Sequence, residues 1–287
     1  MPTLDQYQRK VRDLIKQQDR MTDAEVKRML RLLRDTRRST LESLLKLANS
    51  KDSFQYYQLQ SLRDAIDAQA DYLIRQYKPI MGGAMEKAWE YGGDMPVEAL
   101  KSVGVDVSLR QLSRTQLQVA QEIAGDLVTK VGDSFRTEAK SIITRGMMGQ
   151  ESPHKVLKQI AKLLATEPDR QTKALGSIAY QAERIQRTEM NGIASVANRM
   201  RVEEIAADDS DMLHYWDSVS DGRTRPAHAD AGARYAPGSD PGPIPVKDDF
   251  IVGGEKAKYP HDPRLSAKNR ILCRCVEVLY KAEWFEE

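Results

Sequence analysis

Residues 112–146 read LSRTQLQVAQEIAGDLVTKVGDSFRTEAKSIITRG, and this stretch carries the most regular pattern in the chain. Its apolar residues recur at a spacing of seven, then repeatedly four and finally three, which places them on one face of an α-helix. The pattern predicts a helix of about nine turns that ends at Gly146. The predicted apolar face consists of Leu112, Val119, Ile123, Leu127, Val131, Phe135, Ala139 and Ile142.

The region before this stretch contains a helix start signal. Thr22-Asp23 followed by Glu25 is a pattern of the capping-box type, and it predicts a helix from there to about Asn49. A partial apolar stripe supports this helix and consists of Val26, Leu30, Leu33, Leu41, Leu44 and Leu45.

Two further helices are predicted before residue 107. The first covers residues 53–77 and ends near Pro79, and the second covers residues 79–91 and ends at Gly92-Gly93. Residues 92–107 are rich in turn formers, so we interpret them as a linker or a hairpin.

Two helices are predicted after the long periodic stretch. Ser152-Pro153 starts a short helix that reaches about Leu164, with proline in its favoured first-turn position. A longer helix is predicted over residues 169–206. Its apolar stripe consists of Leu175, Ile178, Ala182, Ile185, Ile193, Val196 and Met200.

The character of the sequence changes after residue 207. Residues 212–287 hold seven of the twelve prolines, both cysteines and three of the four histidines. The segments LHYWDSV (213–219) and ILCRCVEVLY (271–280) have the composition of strands. We predict a mainly α protein in which an elongated region of long amphipathic helices precedes a small α+β module.

The predicted organisation has three consecutive parts. Residues 1–106 form an N-terminal helical region that is partly basic, residues 107–206 form a stalk of long helices, and residues 207–287 form the C-terminal module.

The composition is typical of a soluble, helix-rich protein. Of 287 residues, 40% are hydrophobic, 30% are charged and only 6% are aromatic. No apolar run approaches the roughly 18–20 residues needed to cross a bilayer. The opening residues, MPTLDQYQRKVRDLIK, lack the apolar core of a secretory signal. We therefore expect the protein in a reducing cytosol, or in a particle assembled there.

Positive charge is concentrated near the N-terminus. Residues 1–50 contain 12 Lys/Arg against 7 Asp/Glu, although the whole chain carries a net charge of only +2. A basic helix face can bind nucleic-acid phosphates. A solvated helix surface is the alternative, and the interleaved acidic residues favour it. The densest part of this candidate nucleic-acid-binding surface consists of Lys27, Arg28, Arg31, Arg34, Arg37 and Arg38.

Glu189 places a carboxylate on an apolar stripe. It lies four residues after Ile185 and four before Ile193. A buried carboxylate needs an ionic partner or several hydrogen bonds, and arginine suits such a pair better than lysine. We expect Arg223 or Arg225 to fill this role and to join the helix to the C-terminal module. A glutamate tolerated at the edge of the stripe is the alternative.

The segment DGRTRPAH (221–228) looks like a rigid loop that presents two arginines and a histidine. Asp221-Gly222 is a turn signal. Arg223 and Arg225 point the same way if the segment is extended.

Cys273 and Cys275 lie two residues apart in a strand-like run, so both sulfur atoms are expected on one side. This spacing and a reducing setting disfavour a disulfide between them. Together with His228 they could form a zinc site, which makes zinc the one candidate cofactor. A pair of buried thiols beside a hydrogen-bonded histidine is the alternative. The fourth ligand would be His261, Asp221, Asp230 or a water molecule.

Four sequence blocks occur in a characteristic order. They are Arg187-Thr188-Glu189, then WDSVSDGRTRPAH (216–228), then Tyr259-Pro260-His261-Asp262-Pro263, and then Cys273-Arg274-Cys275. In this order they resemble the Mu F-like domain of phage head morphogenesis proteins. The resemblance covers roughly residues 110–280, and it is most specific over 185–280.

The resemblance implies a minor structural protein of a tailed-phage head, assembled in the host cytoplasm and located inside the capsid. The implied partners are the portal protein and other capsid components, with packaged DNA as a potential further partner. Several copies per particle and a role in head assembly and in DNA packaging or ejection are expected, without catalysis. We interpret the blocks as a docking and stabilising network of Arg187, Thr188, Glu189, Trp216, Asp221, Arg223 and Arg225.

An enzyme is the alternative reading of the C-terminal module. A metal-dependent hydrolase such as a nuclease, or a toxin-like effector, would use His228, Cys273 and Cys275, with Arg223 and Arg225 binding phosphate. The sequence lacks the glycine-rich motifs of nucleotide-binding proteins, both the Rossmann type and the Walker type.

Overall fold

The computed structural model describes residues 3–47, 58–166, 177–209, 211–219 and 221–285. Its helices are α1 (Leu4–Leu47), α2 (Leu59–Lys101), α3 (Thr115–Met147), α4 (Pro153–Leu163), α5 (Ile178–Ala207), α6 (Pro226–Tyr235) and α7 (Ala267–Arg270). Its strands are β1 (Leu213–Asp217), β2 (Ile244–Pro245), β3 (Phe250–Val252), β4 (Glu255–Ala257) and β5 (Val276–Tyr280). The predicted mainly α fold with a small C-terminal α+β module is confirmed. Within the described ranges, no helix combines the length and the hydropathy that a membrane crossing requires.

The strands form two small antiparallel sheets. One has the order β2-β1-β5, and the other pairs β3 with β4. In the first sheet Leu213 lies opposite Tyr280, and Asp217 lies opposite Val276. Strands were predicted in both of these segments, and both are present. However, β5 begins only after Cys275, so the two cysteines lie in the loop that leads into the strand.

The chain forms two compact units. Unit 1 consists of Met1–Asp23, Ala84–Ala120 and Arg187–Glu287, and unit 2 consists of Ala24–Gly83 and Gln121–Gln186. The division into three consecutive parts remains a prediction.

Unit 1 has its apolar core around the small sheets. Trp216 and Phe250 belong to the same buried cluster as Tyr7 and Leu14 of α1. The Tyr7 hydroxyl group also donates a hydrogen bond to the Leu279 carbonyl oxygen at 2.7 Å. The first half of α1 is therefore part of the core that encloses the C-terminal strands.

Unit 2 is a packing of helices with ion pairs across their contacts. Arg136 and Lys140 of α3 both pair with Asp67 of α2, at 3.1 and 2.7 Å. The buried Tyr77 hydroxyl group donates to the Ala182 carbonyl oxygen at 3.0 Å, which joins α2 to α5.

The helix start predicted at Thr22 is wrong, because α1 runs through it without a break. Thr22 is 2% exposed, and its hydroxyl group donates to Asn191 Oδ1 at 3.4 Å. No glycine or proline precedes it within the helix, so nothing stops α1 from starting earlier. The predicted end at Asn49 lies outside the described residues.

The breaks predicted at Pro79 and Gly92-Gly93 are also wrong, because α2 passes through all three residues. Gly92 serves a helix contact: a Cβ atom there would lie 2.2 Å from the Ala194 carbonyl oxygen of α5. Glycine therefore permits a close approach of two helices and does not end one. The predicted linker is present only in its last part, where a turn at residues 102–104 follows α2.

The long periodic stretch forms α3, but its apolar face is only partly the predicted one. Phe135, Ala139 and Ile142 are buried as expected. Val119 and Ile123 are instead 52% and 55% exposed. In that half of the helix the buried residues include Leu117, Ala124 and Val128. Their spacings of seven and four follow the 3.6-residue turn, whereas a repeated spacing of four drifts around the helix.

Helix α4 confirms the prediction for its region. The Ser152 side chain caps it by accepting from the Lys155 backbone N–H at 3.4 Å, and Pro153 is its first residue. Helix α5 is present from Ile178, while the predicted start at residue 169 lies outside the described residues. Its buried face contains polar residues beside the predicted Ala182 and Ile193, among them Gln186, Asn191, Asn198, Arg199 and Arg201.

We expect Gly92→Ala to destabilise the protein by about 1–3 kcal/mol, because the added methyl group collides with the α5 backbone. Gly83 lies in the same helix with nothing within 4 Å of its added Cβ. Gly83→Ala should therefore stabilise by about 0.5–1 kcal/mol through helix propensity. Denaturant unfolding of both variants measures the difference. Equal stabilities would contradict the close approach of α2 and α5.

Candidate metal centre

His228 is positioned by the turn predicted at Asp221-Gly222 and by helix α6, which begins where the sequence predicts a continuing loop. The Thr224 backbone N–H donates to the Asp221 carbonyl oxygen at 2.9 Å and closes the turn. Pro226 then begins α6, where its missing N–H costs no helical hydrogen bond. His228 lies in the first turn of this helix with only 2% of its surface exposed.

Cys273 and Cys275 approach His228 from the loop before β5. His228 Nδ1 lies 3.3 Å from the Cys275 sulfur and 3.5 Å from the Cys273 sulfur. One ligand atom from each of the three residues lies within 4.8 Å of the other two, and all three residues are buried. The structure thus brings together the three residues that the sequence suggested.

The separations match those around a tetrahedral metal ion. With a Zn–N distance of about 2.0 Å and a Zn–S distance of about 2.3 Å, the N···S edge of a tetrahedron is about 3.5 Å. The two observed N···S distances are 3.3 and 3.5 Å. The group of His228, Cys273 and Cys275, called here the His-Cys-Cys group, could therefore hold a metal ion.

The Cys273 backbone is held by two hydrogen bonds to its carbonyl oxygen. Asn191 Nδ2 of α5 donates at 2.9 Å, and the His261 ring nitrogen Nε2 lies at the same distance. The preceding residue, Leu272, has a φ of 58°, and its N–H donates to Thr188 Oγ1 at 3.2 Å. A left-handed conformation is unfavourable for leucine, so these contacts hold the loop against its local preference.

The two thiols hydrogen-bond to each other, and this affects their protonation. The hydrogen bond from Cys275 lowers the pKa of Cys273 well below its usual value, and the same contact raises the pKa of Cys275 well above it. A hydrogen bond from His228 also lowers the pKa of Cys273. The group therefore favours a thiolate at Cys273, the form that binds metals.

Trp216 covers the group from the sheet side. Its side chain is fully buried, with its ring edge-on to His228 at a centroid distance of 5.8 Å and to Phe250 at 5.6 Å. The indole N–H interacts with the Cys275 sulfur, and this contact opposes the rise in the pKa of Cys275. Trp216 thus packs against one side of the His-Cys-Cys group and belongs to the apolar core.

Glu189 is sheltered from solvent as expected, but its predicted arginine partners are wrong. Burial raises the pKa of its carboxyl group, and the positive charges of His261 and Arg270 oppose this rise. Among the described residues, neither Arg223 nor Arg225 pairs with it, because both interact within the C-terminal module. Sequence spacing shows that Glu189 needs a partner, but it does not show which cation the loops bring close.

Asp221 is the centre of an ion-pair network. Its carboxylate accepts from Arg274 at 2.6 Å and pairs with Arg223 at 3.0 Å. The Arg274 hydrogen bond holds the pKa of Asp221 well below its usual range. Arg274 also pairs with Asp19 of α1 at 3.3 Å. Asp19 lies more than 200 residues from its partner, and no spacing argument could have found this contact.

The first sequence block contacts both α1 and the cysteine loop. Arg187 pairs with Asp23 of α1 at 2.6 Å. Thr188 accepts from Leu272, as described above. Arg225 of the second block also contacts the cysteine loop, where it donates to the Ile271 carbonyl oxygen.

A second buried polar cluster was not predicted from the sequence. Glu277 accepts from Arg199 at 2.7 Å and lies 2.6 Å from His214 Nδ1, and both the glutamate and the histidine side chains are fully buried. Arg199 also donates to the Val246 carbonyl oxygen at 3.1 Å. The flanking valines of β5 were the available signal, because they place Glu277 inside a buried strand.

A small cavity of about 20 Å³ adjoins the His-Cys-Cys group. This is room for about one water molecule. Its lining contains Val219, Arg223, Thr224, Arg225, His228, Leu272, Cys273, Arg274 and Cys275.

Comparison with known proteins assigns no family to this chain. No family model, curated protein or solved structure matches it. The Mu F-like resemblance of residues 185–280 therefore rests on the four sequence blocks and remains a prediction.

The basic cluster lies on α1 within unit 2, apart in sequence from the His-Cys-Cys group. Arg28 and Arg38 pair with acidic neighbours on the same helix, at 3.8 and 3.2 Å. Lys27, Arg31 and Arg34 are exposed and form no ion pair within the described part of the chain. Arg37, the remaining member of the cluster, is partly buried.

Proposed function

We propose that the protein is a minor structural component of a tailed-phage head, located inside the capsid and associated with the portal. It would act in head assembly and in DNA packaging or ejection, and it would not be an enzyme. The observation that carries the proposal is the Asp221 network: the charged residues of the sequence blocks pair with one another and with α1. Charged residues that form such ion pairs serve to hold the helices and the C-terminal module together.

Localisation in the particle tests this role. We expect several copies of the protein in purified heads, at the portal vertex, by quantitative mass spectrometry and asymmetric cryo-EM reconstruction. Arg274→Ala removes the pairs with Asp221 and Asp19 and should lower the copy number, whereas Lys158→Ala, at an exposed residue of α4, should not. Absence of the protein from intact particles would contradict the proposal.

We further propose that the His-Cys-Cys group binds zinc. Cysteine sulfur and histidine nitrogen form the ligand set that zinc prefers in proteins. A bound ion would crosslink α6 to the loop before β5 and so stabilise the C-terminal module, because binding free energy adds to folding free energy.

The zinc content of the purified protein tests this assignment. We expect about one zinc ion per chain by elemental analysis, as the three residues form one ligand group. His228→Ala should lower the content to near zero, and chelation should lower the melting temperature. His228→Cys supplies another zinc ligand and should retain the ion. His154→Ala, at an exposed histidine of α4, is the control. Zinc-supplemented protein without bound metal would exclude the site.

Packaged DNA is the proposed partner of the basic stripe on α1. Lys27, Arg31, Arg34 and Arg38 follow one another at spacings of four, three and four residues, which places them on one helix face over about 17 Å. A row of this length can contact successive phosphates of one strand, and three of its four cations have no acidic partner among the described residues.

Salt dependence of DNA binding measures these contacts. Each phosphate contact contributes about 0.9 to the slope of log K against log salt. Arg31→Glu with Arg34→Glu should therefore lower the slope by about 1.8 and weaken binding. Lys158→Glu with Lys162→Glu, at two exposed residues of α4, carries the same charge change and should leave the slope unaltered. Equal slopes for the two double variants would show that α1 does not bind DNA.

A metal-dependent hydrolase or toxin-like effector is the second candidate function. The cavity beside the His-Cys-Cys group favours it, because Arg223 and Arg225 line the same space. The described residues that line the cavity include no carboxylate to act as a general base, so the structural role ranks first. Hydrolysis of DNA that requires added zinc or manganese, and that His228→Ala abolishes, would reverse this order.

A further inference from the structure

The His-Cys-Cys group supplies three ligands, whereas tetrahedral zinc takes four. The residues that could have completed the set are used elsewhere. His261 is bound to the Cys273 carbonyl oxygen, and Asp221 is paired with Arg274. Asp230 is exposed, two residues beyond His228 on α6 and therefore on another face of the helix. Among the described residues, no fourth side chain joins the group.

The cavity adjoins all three ligand residues and has room for about one water molecule. It lies beside Arg223, whose side chain is 72% exposed, so small molecules can reach the cavity from solvent. In zinc proteins, three protein ligands and one exchangeable position characterise reactive sites, while closed sets of four characterise structural ones. The geometry of this group thus leaves one position available to a small ligand.

The charges around the cavity select the kind of ligand. Two thiolates cancel the charge of Zn²⁺, and a neutral histidine adds none. An anion in the fourth position leaves one negative charge. Three arginines, Arg223, Arg225 and Arg274, are among the described residues that line the cavity, and no aspartate or glutamate is among them. Arg223 and Arg274 already pair with Asp221, so Arg225 is the cation left to compensate the anion. Arg225 donates to the Ile271 carbonyl oxygen through Nη2, and its other N–H groups have no partner within the described residues.

We propose that the fourth position takes an exchangeable small anion, hydroxide from solvent or another of similar size, bound to the metal and to the guanidinium group of Arg225. This inference rests on the zinc site proposed above. It gives that site a function beyond a crosslink, since a ligand that exchanges with solvent makes the centre a receptor for small anions.

Cobalt substitution of the full-length protein with azide as the probe tests the inference. Co²⁺ bound by two sulfur atoms and one nitrogen has visible absorption bands that report the fourth ligand. Azide should shift these bands saturably, with one azide per cobalt. Arg225→Gln keeps an amide that can donate to the Ile271 carbonyl oxygen, and it should weaken azide binding about tenfold at equal cobalt loading, because it removes a charge-assisted hydrogen bond. Arg234→Gln, at an exposed arginine of α6, should have no effect.

The outcomes separate the two proposals. Cobalt bands that do not respond to azide would overturn the exchangeable position and leave the metal site intact. An unaltered azide affinity in Arg225→Gln would overturn the part assigned to that arginine. A protein that binds neither cobalt nor zinc would overturn the metal site, and this inference with it.

Discussion

The Cys273 carbonyl oxygen accepts hydrogen bonds from Asn191 and His261, and the position of the cysteine loop in unit 1 depends on this contact. It fixes the loop before β5 to helix α5 and forces Leu272 into a left-handed conformation. The loop leads directly into β5, where Val276 lies opposite Asp217 of β1. In this position of the loop both sulfur atoms lie within 3.5 Å of His228 Nδ1. Burial makes the constraint strict, since an unsatisfied polar group there would cost about 1–3 kcal/mol.

Two polar clusters share the small sheet of unit 1. The His-Cys-Cys group lies at the start of β5, while Glu277 in the same strand binds Arg199 and His214. Buried ion pairs add little net stability, but removing one partner is costly because it leaves an uncompensated charge. The module is therefore held in one arrangement by polar contacts that tolerate few alternatives, and apolar packing around Trp216 and Phe250 surrounds them.

Local patterns in the sequence predicted those features that depend on neighbouring residues. The Ser152 cap, the helical character of α3 and the strand segments were found because spacing and propensity determine them. The candidate ligands were found because cysteine and histidine carry distinctive chemistry. Thr22 and Gly92 were misread as helix boundaries, although each serves a contact with α5. Local sequence patterns do not reveal such contacts between distant residues. They also do not reveal which side chains lie near Glu189.

The hydrogen bond from Tyr7 to Leu279 has a consequence for the synthesis of the protein. The two residues are 272 positions apart. Ribosomes add about 5–20 residues per second, so the apolar side of the first helix waits roughly 15 to 50 seconds for the strand that covers it. During this time the nascent chain exposes this apolar surface, which ribosome-associated chaperones can bind. Unit 1 can therefore complete its packing only after β5 has been synthesised and has left the ribosome.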